Sequence, residues 1–231
     1  MEHYERINYL SKINTSEYYL EIGVDDGFTF TQVDISYKTG VDPHFSPDST
    51  TILEKSRSGG TLHQTTSDDF FLSIPTDYIY DFVFIDGLHT WDQTYRDLCN
   101  TLNHTHENSI ILVDDTYPAN VFSAMRNQQE SLESRKLYNE NDTSTNWYGD
   151  VYKTIFMVHD FHPLLSYATI DKNHGNPQTI ILKIPRKTFT PKFNSAEKIE
   201  RVDYFEFVKH KDLLNLMPEQ DALNWVREIL G

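Results

Sequence analysis

Three apolar runs in this chain each carry an acid to their carboxyl end. Tyr18 to Ile22 includes Glu21 and opens the stretch EIGVDDG, Phe82 to Ile85 runs into Asp86-Gly87-Leu88-His89, and Ile110 to Val113 runs into Asp114-Asp115. An apolar run without polar alternation suits a central parallel strand, because crossover helices cover both faces of such a sheet and leave no solvent side. In open α/β sheets ligands bind outside the carboxyl ends of the strands. Three acid-bearing strand ends therefore predict one crevice and one site.

The intervening segments support this frame. Glu2 to Asn14 has apolar residues near helical spacing, Phe28 to Ile35 and Ser49 to Arg57 are expected helices, and Lys38 to Val41 and Thr61 to Thr66 are expected strands. Thr90 to Leu102 brings Trp91, Tyr95, Leu98 and Leu102 onto one side of an amphipathic helix. This alternation of strand and helix points to a doubly wound parallel sheet. Beyond Asp115 the pattern loosens. Pro118 to Tyr138 is expected to be helical and Asn139 to Asn146 a polar loop. Val151 to Val158, Leu165 to Ile170 and Thr179 to Ile184 are expected to supply the remaining helix and strands, and Lys198 to Gly231 a helical tail with one short strand at Tyr204 to Val208. Residues 1–190 are expected to form one domain, and 191–231 a mainly helical tail packed on it.

Composition narrows the function. A formal charge of -15 disfavours a nucleic-acid partner, because such affinity is built from Lys and Arg displacing counterions. No segment reaches the roughly 20 apolar residues that span a bilayer, and the start MEHYERINYL has no apolar signal core, so a cytoplasmic protein without a membrane partner is expected. The single cysteine, Cys99, rules out an internal disulfide framework. Ten dispersed histidines lack the spacing of a zinc site.

Each motif has a plain structural reading beside the functional one. Gly23 and Gly27 stand where a strand turns into a helix, which serves either a ligand's close approach or a tight turn alone. Asp25 occupies the place of the middle glycine in a dinucleotide fingerprint, and its charge disfavours a pyrophosphate. Asp42, about 20 residues on, stands where an acid accepts both hydroxyls of a ribose, or simply ends a strand in Asp-Pro. Ser67 and Asp68 read as an N-cap for a helix from Asp69 to Leu72. His89 is either a general base or a structural histidine at the start of the next helix.

With these residues in view, the chain resembles class I S-adenosylmethionine (SAM)-dependent methyltransferases, in particular a bacterial family with a strand-four box like FIDGLHTWDQTYRDL, over roughly Tyr18 to Lys153. The resemblance implies a Rossmann-like, doubly wound, mostly parallel seven-stranded sheet with helices on both faces. It implies that Glu21, Gly23 and Gly27 hold the methionine part of SAM, Asp42 its ribose, and Ser67 and Asp68 its adenine, with Asp86 also at the cofactor. Asp86, Asp114 and Asp115 resemble the acidic set of magnesium-dependent O-methyltransferases, although Leu88 replaces a further acid found in the sugar-modifying ones. The metal stays open on that account. The segment NWYGDVYK resembles the family's downstream WxGDVxK element, which makes Trp147, Tyr148, Asp150 and Lys153 an expected substrate flap, or else a core segment with a surface ion pair.

The expected activity is methyl transfer from SAM to an oxygen of a sugar or small secondary metabolite, with His89 as base and Asp115 as the alternative. Magnesium is an optional second cofactor and self-association is left open. Two rivals stand beside it: a NAD-dependent oxidoreductase on the same kind of sheet, and a noncatalytic SAM-binding module.

Overall fold

A computed structural model describes residues 1–171 and 177–231. The chain begins with α1 (His3–Ser11), where the Glu5 carboxylate accepts the otherwise free Glu2 N–H at 2.9 Å. Strand and helix then alternate through β1 (Tyr18–Ile22), α2 (Phe28–Gln32), β2 (Tyr37–Asp42), α3 (Ser49–Lys55), β3 (Thr61–Gln64), α4 (Ser67–Ser73), β4 (Tyr80–Ile85), α5 (Trp91–Asn103) and β5 (Thr105–Val113). After these come α6 (Gln128–Tyr138), α7 (Tyr152–Phe161), β6 (Ser166–Asp171), β7 (Thr179–Leu182), α8 (Ala196–Glu200), α9 (Tyr204–Lys209), a 3₁₀ turn Lys211–Leu214, β8 (Leu216–Pro218) and α10 (Glu219–Leu230).

The sheet order is β3-β2-β1-β4-β5-β7-β6-β8. The strands from β3 to β5 are parallel, β7 runs antiparallel to both β5 and β6, and β8 is parallel to β6. Alternate residues of each central strand enter two separate cores. Leu20, Val83, Ile85, Ile111 and Val113 join one, and Tyr19, Phe82, Phe84, Ile110 and Leu112 the other. Burial on both faces is why these strands read as unbroken apolar runs. The order of strands reverses between β1 and β4, which opens a crevice at their carboxyl ends.

Three expectations are corrected. The sheet has eight strands among the described residues, not seven, because Leu216 to Pro218 pair with Thr169 to Asp171 along the edge. Three residues are too few to show periodicity, and Asn215 directs them there through a left-handed turn (φ 51°) and a 2.7 Å bond from its amide to the Tyr167 carbonyl. Tyr204 to Val208 is helical, not a strand. The Asp203 side chain caps it by accepting from the Glu206 N–H at 2.8 Å, and this cap overrides the strand preference of its aromatic and β-branched residues. The helix expected from Pro118 begins only at Gln128. Asn120 folds back to accept from the Phe122 and Ser123 amides at 3.1 and 3.0 Å, and Asn127 then caps α6.

Candidate active site

A cleft of about 760 Å³ opens at the strand reversal. Its near wall is the turn after β1. Gly23 has φ 89°, and a Cβ there would lie 1.9 Å from the Asp86 carbonyl oxygen, so the β1 and β4 ends can meet only without a side chain. Gly27 does not line the cleft: it starts α2 at φ 75° and lies against Ile52. Asp25 takes a left-handed φ of 45°, a conformation that short polar side chains tolerate.

Asp42, at the end of β2, accepts from the Val24 and Asp25 N–H groups at 2.9 Å each and from His44 N–H at 2.8 Å. It therefore shapes the turn as well as lining the cleft. Ser67 and Asp68 also line it, but neither caps α4. Thr66 does that, accepting from Asp69 N–H at 3.2 Å. Gln93 donates to Asp97 at 3.0 Å, to Ser67 at 3.2 Å and to Asp68 at 3.4 Å, while Arg96 holds Asp68 at 2.6 Å. Gln93 gave no sign in the sequence, because its role depends on α4 and α5 lying side by side.

Glu21 is buried and accepts from the Tyr19 hydroxyl at 2.6 Å. Burial outweighs that bond and the Lys38 charge, raising its pKa to about 8. Folding therefore favours the protonated acid, so this contribution to stability is complete below the unfolded value near 4.5 and is lost as pH rises to about 8. In the cofactor-free protein, Glu21→Gln is expected to keep a neutral partner for Tyr19 and remove this loss. Chemical denaturation at pH 5 and pH 8.5 should show wild type losing more stability with pH than the variant, which keeps the losses due to Asp86, His89 and Asp115, by a difference on the order of 2–4 kcal/mol. Parallel curves would refute it.

The floor gathers the remaining predicted acids. Asp115 and the half-exposed His89 ring face each other, with His89 Nδ1 at 2.9 Å from Asp115 Oδ2 and 3.0 Å from the Trp147 carbonyl oxygen. Both partners are acceptors, so Nδ1 carries the hydrogen and Nε2 keeps the lone pair of the neutral ring. That nitrogen lies 3.7 Å from Asp86. Burial opposes charge on His89, but the Asp115 bond and charge, the Trp147 carbonyl and Asp114 together raise its pKa. Burial and Asp114 lift Asp115 to about 6 against the pull of His89. Asp86 is raised well above the carboxylate range by burial, then by Asp114 and Asp115. Asp114 Oδ2 and Asp115 Oδ1 are buried without a hydrogen-bond partner among the described residues.

Trp147 stacks on His89 with ring centroids 4.9 Å apart, and Trp147 and Tyr148 line the cleft. Gly149 (φ 61°) follows because a Cβ would fall 1.7 Å from the His89 carbonyl oxygen. Asp150 and Lys153 stay out of the cleft lining. Asp150 accepts from Trp91 N–H at 2.9 Å, at the start of α5, and from Lys153 Nζ at 3.1 Å, so the pair supports the Trp147-Tyr148 segment from behind. His3 is a further residue beside these acids, behind the cleft lining and 3.4 Å from Asp114. Nothing in its sequence neighbourhood marks it.

The fold is a doubly wound α/β sheet with an acid-lined crevice at its switch point. Residues 20–116 match the family model described as a methyltransferase domain. The fold is shared with solved O-methyltransferases. TomG from Streptomyces achromogenes, involved in tomaymycin synthesis and solved with SAM, is 13% identical, with TM-score 0.57 over 78% of this chain and 79% of that one. The O-methyltransferase from Bacillus cereus, solved with SAH, is 11% identical, with TM-score 0.56 over 78% of this chain and 80% of that one. No curated protein sequence matches the chain. Among the described residues no helix is long and apolar enough to cross a membrane.

Proposed function

We propose that this protein transfers the methyl group of SAM to a hydroxyl of a sugar or small secondary metabolite. The observation that carries this reading is the His89 imidazole, oriented by Asp115 through Nδ1 and presenting Nε2 at the cleft floor. Glu21 and Gly23 would receive the methionine end of the cofactor, Asp42 the ribose, and Ser67 and Asp68 the adenine edge. The acceptor oxygen attacks the methyl carbon as the carbon–sulfur bond breaks, and its proton passes to His89 Nε2. The sulfonium charge thus leaves as a histidinium, and the products are a thioether and a methyl ether. Close approach and water exclusion supply the rest, the latter from the Trp147-Tyr148 flap. A chain of net charge -15 suits a neutral or cationic acceptor.

Asp86 belongs to two groups whose ligand atoms lie within 4.8 Å of one another, one with His3 and Asp114 and one with His89 and Asp115, and the carboxylate oxygens of Asp114 and Asp115 that lack a partner among the described residues suit a divalent cation beside Asp86. When bound, such an ion would offset the clustered negative charge and favour ionisation of a nearby hydroxyl.

Calorimetry with SAM and with NAD tests the cofactor. Binding of SAM alone is expected, and Asp42→Ala should weaken it by roughly 10–100-fold through lost charge-assisted hydrogen bonds. NAD binding without SAM binding would replace this reading with the oxidoreductase one. Tight SAM binding with no transfer across a panel of glycans and metabolites would leave a noncatalytic binding module.

A further inference from the structure

At and behind the floor of the cleft lie two overlapping groups of potential ligands. His3, Asp86 and Asp114 bring one ligand atom each within 4.8 Å of one another, and Asp86, His89 and Asp115 do the same. Asp86 is common to both. In the second group Asp115 Oδ2 already holds the His89 ring at 2.9 Å, while its Oδ1 has no hydrogen-bond partner among the described residues. In the first, Asp114 Oδ1 accepts from the Asp115 N–H at 2.9 Å, whereas Oδ2, on a side chain 1% exposed, has no hydrogen-bond partner among the described residues and lies 3.4 Å from His3 Nε2, the nearest group able to join it in holding a cation. An uncompensated buried carboxylate oxygen costs far more than one that meets a cation.

We propose that His3, Asp86 and Asp114 form a binding site for a divalent first-row transition ion, with Asp115 left to orient His89. The inference rests on the reading that the acidic floor takes a cation, and it changes which residues hold it. Bonds of about 2.0–2.2 Å to such an ion put neighbouring ligand atoms roughly 3–4 Å apart, so the three groups need only small shifts to converge. An imidazole in the set selects against magnesium, which prefers oxygen and water, and toward manganese, cobalt or zinc.

The position of His3 is built into the fold. It opens α1, and its ring meets Phe84 of β4 edge-on with centroids 5.7 Å apart. Arg6, buried on the same helix, is fastened to Glu219 at 2.5 Å and also donates to Gln178. Glu219 opens α10, so the two ends of the chain meet over the floor of the site. Neither His3 nor Asp114 lines the cleft, whereas Asp86 does. The ion would therefore sit behind Asp86, fix that carboxylate in the wall and pin α1 to the sheet.

The test uses the full chain without SAM or acceptor. Titration with cobalt chloride should show one equivalent bound and a raised Tm, with magnesium chloride binding at least tenfold more weakly. His3→Ala should lower cobalt affinity at least tenfold, and Asp114→Asn should do the same, while His89→Ala should leave it unchanged. Pulsed EPR of the manganese-loaded protein should report one imidazole nitrogen on the ion, absent in His3→Ala and retained in His89→Ala. Three results would overturn the site: no cobalt binding, equal affinities in wild type and His3→Ala, or a nitrogen signal lost in His89→Ala instead. Binding of SAM by His3→Ala keeps the two readings separate. If cobalt binds through His3 and SAM does not bind, the methyltransferase reading fails and the cation site stands.

Discussion

His89→Ala is expected to slow methyl transfer by roughly 10²–10⁴-fold, the range general base catalysis contributes, while SAM affinity stays unchanged. The reason is the division of labour around the ring. Its Nδ1 hydrogen is taken by Asp115 and the Trp147 carbonyl, so the ring is fixed, and Nε2 is the nitrogen available to an acceptor. Alanine deletes the base without touching Asp42 or the turn at Gly23. The ring also supports Trp147, so loss of rate alone does not identify a base. Added imidazole decides: partial rescue of turnover is expected, since a free base can enter the vacated space. A variant with wild-type turnover, or one whose defect lies wholly in acceptor KM and resists imidazole, would remove His89 as the base.

Gly23→Ala is expected to give the largest loss of stability, about 3–5 kcal/mol, or a fall in Tm of roughly 10 °C for a chain of this size. Two costs add at this position. An L-residue at φ 89° is strained, and its Cβ would lie 1.9 Å from the Asp86 carbonyl oxygen, which is backbone and cannot rotate away. The β1–β4 junction, held by Asp86 N–H donating to the Ile22 carbonyl at 2.8 Å, would have to open, straining the neighbouring β1–β2 bond from Gly23 N–H to the Val41 carbonyl at 2.9 Å. Gly59 supplies the control. It has a comparable φ of 71° but open space within 4 Å, so Gly59→Ala should cost only the backbone term of about 1–2 kcal/mol. Equal losses in the two variants would show that the close approach at Gly23 carries no weight. Any Gly23→Ala protein that folds should also bind SAM poorly.

Much of the site was legible because burial on both faces writes itself directly into a strand's sequence. Phe82 to Ile85 has no polar interruption because one side of β4 faces each core, and the acid that follows stands at the crevice. The second half was less legible for a physical reason. Its elements are defined by single side-chain contacts: Asn120 unwinding the start of an expected helix, Asp203 capping a segment of strand-favouring residues, and Asn215 turning three residues onto the sheet edge. Such contacts leave no periodic trace.

The same distinction runs through the segment from Trp147 to Lys153. The motif around Gly149 drew attention to Trp147, Tyr148, Asp150 and Lys153 alike, yet only the first two line the cleft. Asp150 is turned away because the start of α5 offers an uncapped N–H at Trp91, and the carboxylate is better placed there than beside three other acids.

By itself the sequence determined the doubly wound core, the crevice at its switch point and the acids at the strand ends, since local apolar runs and turn residues encode all three. Only the tertiary structure decided how those acids are used. Asp115 belongs to His89, Asp42 braces the glycine turn, and His3 arrives at Asp114 from the far end of the chain. These pairings arise from long-range packing of α1, α10 and the Trp147-Tyr148 segment against the sheet, and no spacing along the chain reports a distance across the fold.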